Sequence, residues 1–150
     1  MAKNILFVCT GNTCRSPMAV GLLRDLAPHL DLEIHSAGTS AMAGVPASSL
    51  AIEAMREAEI DISNHRSSTL NGDMLEEADL VFCMAEQHRR RIVDWFTRMD
   101  DKVYLLREFD PERTDSHYPD VPDPIGLDLD AYRRAFTMIE RSLHEVIKIL

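Results

Sequence analysis

The chain has 150 residues, 45% of them apolar, and its 16 basic against 25 acidic side chains give a formal net charge of -9. That size suits one domain, residues 1–150, around a single core, and the negative charge excludes nucleic acid and an anionic membrane as partners by long-range repulsion. With three cysteines and an N-terminal apolar run only from Ile5 to Cys9, neither a disulfide framework nor a signal peptide or membrane span is indicated, so a cytoplasmic monomer with reactive or buried thiols is expected.

Asn4 to Cys9 is a short apolar run of strand formers that enters a loop at Gly11 and Asn12. Met18, Leu22, Leu23 and Leu26 then recur at helical spacing, with Pro17 suited to the first turn and Pro28 ending the pattern. Leu32 to Ser36 predicts a second strand, Ala37 to Pro46 a loop, and Ala47 to Glu59 a helix with Ile52 and Met55 inward. A third strand is predicted over Ala78 to Met84, a helix over Glu86 to Thr97 and a fourth strand over Lys102 to Leu106. In that helix the basic run His88-Arg89-Arg90-Arg91 is spread around the axis at ~100° per residue. It reads as a solvated surface, with Glu86 and Asp94 at ion-pair spacing from Arg90.

From Arg107 to Gly126 the chain carries Pro111, Pro119, Pro122 and Pro124, so no regular element is expected. A loop of this length in a compact domain is usually functional. A last helix follows, with Tyr132, Ala135, Phe136, Ile139, Leu143, Val146, Ile147 and Leu150 on its apolar stripe and Asp128 or Asp130 as its cap. Strands alternating with helices predict an α/β fold: a four-stranded parallel sheet, doubly wound, with helices on both faces. Ligands bind such sheets at the carboxyl ends of the strands, where Cys9 lies.

Between the first strand and helix runs Cys9-Thr10-Gly11-Asn12-Thr13-Cys14-Arg15-Ser16-Pro17, of the form C-x5-R-S. A loop whose successive N–H groups point inward, ending on a helix N-terminus, is an anion site by geometry. Gly11 and Asn12 tolerate the left-handed turns it needs. The same N–H groups and the Arg15 cation favour the thiolate of Cys9, and the Ser16 hydroxyl can donate to the sulfur. Arg15 offers a planar fork to two phosphoryl oxygens. An isolated strand-end cysteine would be read as a structural thiol, but the full string argues otherwise. Cys9 and Cys14 lack a second ligand pair for zinc, and no G-x4-G-K-[ST] pattern is present. An acid for the leaving group is available from Asp120, Asp123 or Asp128. Asp123 is preferred because Pro122 and Pro124 stiffen its backbone, the alternative being an ordinary turn aspartate.

The string V-C-x-G-N-x-C-R-S-P near the start, with Asp123-Pro124 before a final helix, resembles the low-molecular-weight protein tyrosine phosphatases. So do Ser36-Ala37-Gly38 after the second strand, His65 in Asn64-His65-Arg66-Ser67-Ser68, and Leu80 to Met84. The resemblance implies a metal-independent, cofactor-free hydrolase acting on phosphorylated proteins. Cys9 would attack phosphorus, Arg15 would hold the phosphoryl group, and Asp123 would serve as acid and then base. Thr10, Gly11, Asn12, Thr13, Cys14 and Ser16 would line the anion site, with Asn12, Ser36 and His65 supporting the loop backbone. Cys14 would form a reversible disulfide with Cys9. Cys83, in a buried strand pattern, reads as a core thiol.

Tyrosine-directed members place aromatic residues after the D-P pair and in the loop after the second strand. Here Ile125-Gly126 follow Pro124, and Ala37 to Ala47 contains no aromatic. Thr13 stands where those relatives carry an aliphatic residue, and the loop looks like that of the bacterial protein-arginine phosphatases. The expected substrate is phosphotyrosine or phosphoarginine in proteins, with Thr13 leaning to phosphoarginine. Two other classes share parts of the pattern. An arsenate reductase needs two further downstream cysteines where only Cys83 exists, and a cysteine phosphoryl carrier would not need Arg15 with Asp123.

Overall fold

The computed structural model describes residues 2–113 and 119–150. Strand β1 (Lys3–Cys9) lies at the centre of a four-stranded parallel sheet, between β2 (Leu32–Gly38) and β3 (Leu80–Cys83), with β4 (Val103–Leu105) outside β3. Period-2 alternation sends Ile5 and Phe7 into one core and Leu6 and Val8 into the other. A strand covered on both faces must be apolar at every position, which is why Ile5 to Cys9 is unbroken.

Helices α1 (Arg15–Leu26), α2 (Ser49–Arg56) and α5 (Leu129–Ile147) carry Met18, Leu22, Met55, Ile139 and Leu143 into the first core. On the opposite face α3 (Gly72–Glu77) and α4 (Glu86–Trp95) supply Leu75 and Ile92. The doubly wound arrangement matches the sequence expectation. Asp128, rather than Asp130, caps α5 by accepting the Ala131 N–H at 3.1 Å.

Several boundaries differ from the predicted ones, for local reasons. Ser48 caps α2 by accepting the Ala51 N–H, so the helix starts after Ala47; it ends early because Glu59 takes a left-handed turn at φ 61°. Met55 is buried as expected, whereas Ile52 is only partly so. Helix α3 was not predicted, since six residues with one fully buried side chain, Leu75, give no readable period. α4 stops at Trp95, where a short 3-10 turn over Thr97–Lys102 begins.

The segment 107–126 is tied down more firmly than its prolines suggested, although 114–118 within it lie outside the described residues. A 3-10 turn over Leu106–Phe109 starts it. The fully buried Asp110 then accepts two hydrogen bonds from Arg141 of α5, both at 2.9 Å, with Arg107 Nε 3.6 Å away. Burial alone would raise the Asp110 carboxyl, but the bonds from Arg141 and the Glu112 N–H outweigh it and hold the group below the usual carboxylate range. Farther on, Val121 is buried, and its N–H donates to the Met84 carbonyl at 2.7 Å at the end of β3.

Candidate active site

In the strand order β2-β1-β3-β4 the winding reverses between β1 and β3, and the carboxyl ends of those two strands are where such a sheet binds its ligand. Cys9 is the last residue of β1 and is 2% exposed. Its Sγ accepts the Asn12 N–H at 3.2 Å and lies 2.9 Å from Ser16 Oγ. Asn12 Nδ2 donates to Ser16 Oγ at 2.7 Å. That oxygen is therefore an acceptor on one side, which leaves its proton free to point at the sulfur.

Asn12 adopts φ 55°, the left-handed conformation expected of it, whereas Gly11 does not have a positive φ. The loop bend thus rests on one residue, and that residue is held on every side. Besides Ser16, Nδ2 donates to Ser36 Oγ at 2.9 Å, and Oδ1 accepts the Ser68 N–H at 2.8 Å. The Asn12 carbonyl sits 2.7 Å from His65 Nε2, and because a carbonyl can only accept, the imidazole proton lies on that nitrogen. Burial pushes the His65 pKa down, assisted by Arg66 and opposed by the bond to Asn12, so the ring is neutral. Ser36 and His65 therefore meet at Asn12.

The end of β2 closes the loop from the other side. Thr39 N–H donates to the Cys9 carbonyl and Ser40 N–H to the Thr10 carbonyl, both at 2.9 Å. A Cβ on Gly38 would stand 2.5 Å from the Thr10 carbonyl oxygen, so only glycine permits this approach.

Arg15 opens α1 and is 3% exposed. Nη1 donates to the Val121 carbonyl at 2.9 Å and Nη2 to Thr10 Oγ1 at 3.4 Å. Asp123 Oδ2 stands 3.5 Å from Nη2. The other two candidate acids are engaged elsewhere: Asp120 accepts the Glu86 N–H at 2.8 Å at the start of α4, and Asp128 caps α5. Asp123 alone of the three faces Arg15, 42% exposed, with Oδ1 accepting the Ile125 N–H. Arg15 anchors the acid-bearing segment as well as facing the loop.

Cys14 points towards α5 and α2. Its Sγ lies 3.4 Å from both Ser48 Oγ and Tyr132 Oη, and 3.8 Å from Thr13 Oγ1. Burial, followed by the Cys14 contact, pushes the Tyr132 hydroxyl up to about 12, so it stays a proton donor. All three cysteines are free thiols, and burial pushes the Cys83 thiol up, as befits a core residue.

Sequence reading missed Ser48, Tyr132, the Val121 carbonyl and His88, whose Nε2 lies 2.8 Å from Thr10 Oγ1. His88 corrects the solvated reading of the basic run, because it is 1% exposed. The overlooked signal was Ile92, four residues on and fully buried on the same helical face. Arg89, not Arg90, makes the ion pairs, with Glu86 and Asp100, while Arg91 lies over Trp95. Among the described residues no cluster of His, Cys, Asp or Glu could hold a metal, and no helix is long and apolar enough to cross a membrane.

The model of the family described as low molecular weight phosphotyrosine protein phosphatase matches residues 4–150. The protein-arginine-phosphatase of Bacillus subtilis (strain 168) is 42% identical over 149 residues, 98% of this chain and 96% of that protein. A probable low molecular weight protein-tyrosine-phosphatase, EpsP of Ralstonia solanacearum, is 37% identical over 143 residues, 95% of this chain and 92% of that protein. Among solved structures, a cysteine-to-serine mutant of the YwlE arginine phosphatase with a phosphorylated active-site serine aligns at a TM-score of 0.88. It shares 40% identity over 98% of this chain and 95% of that chain.

Proposed function

Because the chain belongs to the low molecular weight phosphotyrosine protein phosphatase family, a group of cysteine-dependent phosphoprotein phosphatases, we propose that Cys9, Arg15 and Asp123 carry its reaction. The observation that bears most weight is the pairing of a sulfur held under the Asn12 N–H and Ser16 hydroxyl with a carboxylate 3.5 Å from Arg15. Cys9 Sγ attacks phosphorus in line, the bond to the leaving oxygen or nitrogen breaks, and Asp123 supplies the proton that neutralises the leaving group. In the second step Asp123 takes a proton from water. The resulting oxygen attacks the cysteinyl phosphate, and inorganic phosphate leaves as the thiolate is regenerated. Arg15 meets the phosphoryl oxygens as Asp123 swings from its guanidinium to the leaving group. Ser16, by donating to the sulfur, steadies the thiolate as it departs.

Phosphoarginine in proteins is the preferred substrate in this proposal. Thr13 supports it by its polar side chain in the loop, as do Ile125, aliphatic and 56% exposed, and Gly126, which stand after Asp123-Pro124 where tyrosine-directed members carry aromatics. The protein-arginine-phosphatase of Bacillus subtilis is among the similar proteins. The enzyme is taken to act in the cytoplasm as a monomer, with Cys14 as the thiol that shields oxidised Cys9 by disulfide formation.

The test is release of phosphate from phosphoarginine and phosphotyrosine peptides by wild type, Cys9→Ser and Thr13→Ile. Cys9→Ser is expected to lose activity by a factor on the order of 10⁴ or more while still binding phosphate. Thr13→Ile should shift preference towards phosphotyrosine. Full activity in Cys9→Ser overturns the mechanism; a strong wild-type preference for phosphotyrosine that Thr13→Ile leaves unchanged overturns the substrate assignment.

A further inference from the structure

Below the loop lies one buried polar side chain to which the chemistry above gives no part. His88, in the first turn of α4, is 1% exposed; its Nε2 is 2.8 Å from Thr10 Oγ1, and its Nδ1 has no hydrogen-bond partner among the described residues. Burial, reinforced by the positive charge of Arg15 and opposed by Asp123, pushes its pKa down to about 4. The ring is therefore neutral and carries a single N–H. An orphaned buried N–H is rarer and costlier than an orphaned lone pair. The proton accordingly sits on Nε2, and His88 donates to Thr10 Oγ1.

Thr10 Oγ1 also accepts from Arg15 Nη2 at 3.4 Å. Two incoming donors occupy both lone pairs of the hydroxyl, and its one proton is left for a third group. A phosphoryl oxygen in the loop is the acceptor the site supplies. We propose that His88 is a positioning residue: by fixing the Thr10 hydroxyl it steadies the Arg15 guanidinium from behind and turns the Thr10 proton towards the bound phosphoryl group. This assignment rests on the phosphatase mechanism above. It extends the site across the sheet, from the β1 loop to α4, and gives a role to one member of a basic run whose other members face solvent.

The experiment measures kcat and KM for p-nitrophenyl phosphate, inhibition by inorganic phosphate, and thermal melts. The variants are His88→Leu, His88→Gln, Thr10→Val and the Thr10→Val/His88→Leu double variant. His88→Leu is expected to lower kcat about tenfold, the scale on which groups behind a reacting shell act, and to weaken phosphate inhibition. Gln, which keeps an N–H at similar reach, should restore most of both. In the Thr10→Val background His88→Leu should change neither, because the coupling runs through the hydroxyl. Should His88→Leu fail to fold, Thr10→Val must itself show the kcat loss, and His88→Gln must have no effect in its background.

Wild-type kcat and phosphate inhibition in His88→Leu or in Thr10→Val overturns the proposal, as does a His88→Leu loss that persists in full without the Thr10 hydroxyl. A wild-type enzyme that releases no phosphate from p-nitrophenyl phosphate overturns the phosphatase mechanism itself, and these outcomes are distinct.

Discussion

The two halves of the site are held in opposite ways. The loop over residues 9–16 is fixed from β2, from 65–68, from α4 and from its own Asn12, with Cys9, Asn12, Arg15 and Ser16 all nearly inaccessible. The acid-bearing stretch is anchored at Asp120 and Val121 and is more open beyond them: Pro122, Asp123, Ile125, Gly126 and Leu127 are exposed, and Pro124 is buried. A nucleophile and anion cradle gain from being set before substrate arrives. An acid that must serve a leaving group and later a water gains from sitting on an exposed stretch, held to Arg15 only by an ion pair at 3.5 Å that it can leave.

The sharpest way to break that contrast is Asp123→Asn. We expect the rate for poor leaving groups to fall on the order of 10²–10⁴-fold, while activated aryl phosphates suffer less and the thermal midpoint stays within the range of a surface change. Burst kinetics and a leaving-group series measure the first; a melt measures the second. A large loss of stability would mean that the acid is as structural as the loop.

Asp110→Asn tests the anchor instead. Asp110 is fully buried under two bonds from the partly exposed Arg141, with the buried Arg107 3.6 Å away, so removing its charge leaves both cations less well met and costs about 3 kcal/mol. The sign with pH follows from its depressed folded value. The contribution is present above the unfolded carboxylate range near ~3.9 and is lost as pH falls through the folded value. The wild-type melting temperature should therefore drop towards the variant's in acid, by calorimetry, while neutral-pH activity of the folded variant is largely kept. Equal stability of the two at pH 7 would sink the anchor role.

Asn12 offers a finer cut, because conformation and bonding can be separated there. Asn12→Gly keeps φ 55° accessible but loses the bonds to Ser16, Ser36 and the Ser68 N–H, and is expected to cost about 2 kcal/mol. Asn12→Ala loses the same bonds and adds roughly 1 kcal/mol for a left-handed residue. Urea unfolding resolves the difference. Identical values for the two would show that the turn is not what Asn12 supplies.

These residues also mark where sequence was sufficient. Cys9, Asn12, Arg15 and Ser16 sit in one string, and the contacts that Cys9, Asn12 and Ser16 make with one another span at most seven residues, so local chemistry makes them legible. The sheet was legible because strands covered on both faces must be apolar throughout. Asp123 was chosen from three carboxylates by its prolines, a local clue to a distant meeting. The Val121 carbonyl, 106 residues from Arg15, carries no side-chain signature at all. His88 was hidden by three arginines beside it, and Gly38 reveals its purpose only when the Thr10 carbonyl is seen against it. Short α3 had too few turns for its period to emerge.

The last prediction separates two histidines that brace the same loop. Burial lowers both, His88 to about 4 and His65 less far, since His65 is half-buried and its bond to the Asn12 carbonyl pulls the other way. Each is neutral in the fold, so below the unfolded value near ~6.5 the unfolded chain binds a proton that the folded one refuses. The stability is complete above that pH and declines as pH falls, by up to about 1.4 kcal/mol per pH unit for each group still neutral. His65→Gln should lower the slope only in its upper part, below pH 6.5, whereas His88→Gln should lower it from pH 6.5 all the way towards pH 4. Urea midpoints at half-unit pH steps measure both. A His65→Gln slope unchanged from wild type would show that the ring is protonated in the fold, and that its bond to Asn12, rather than its burial, governs it.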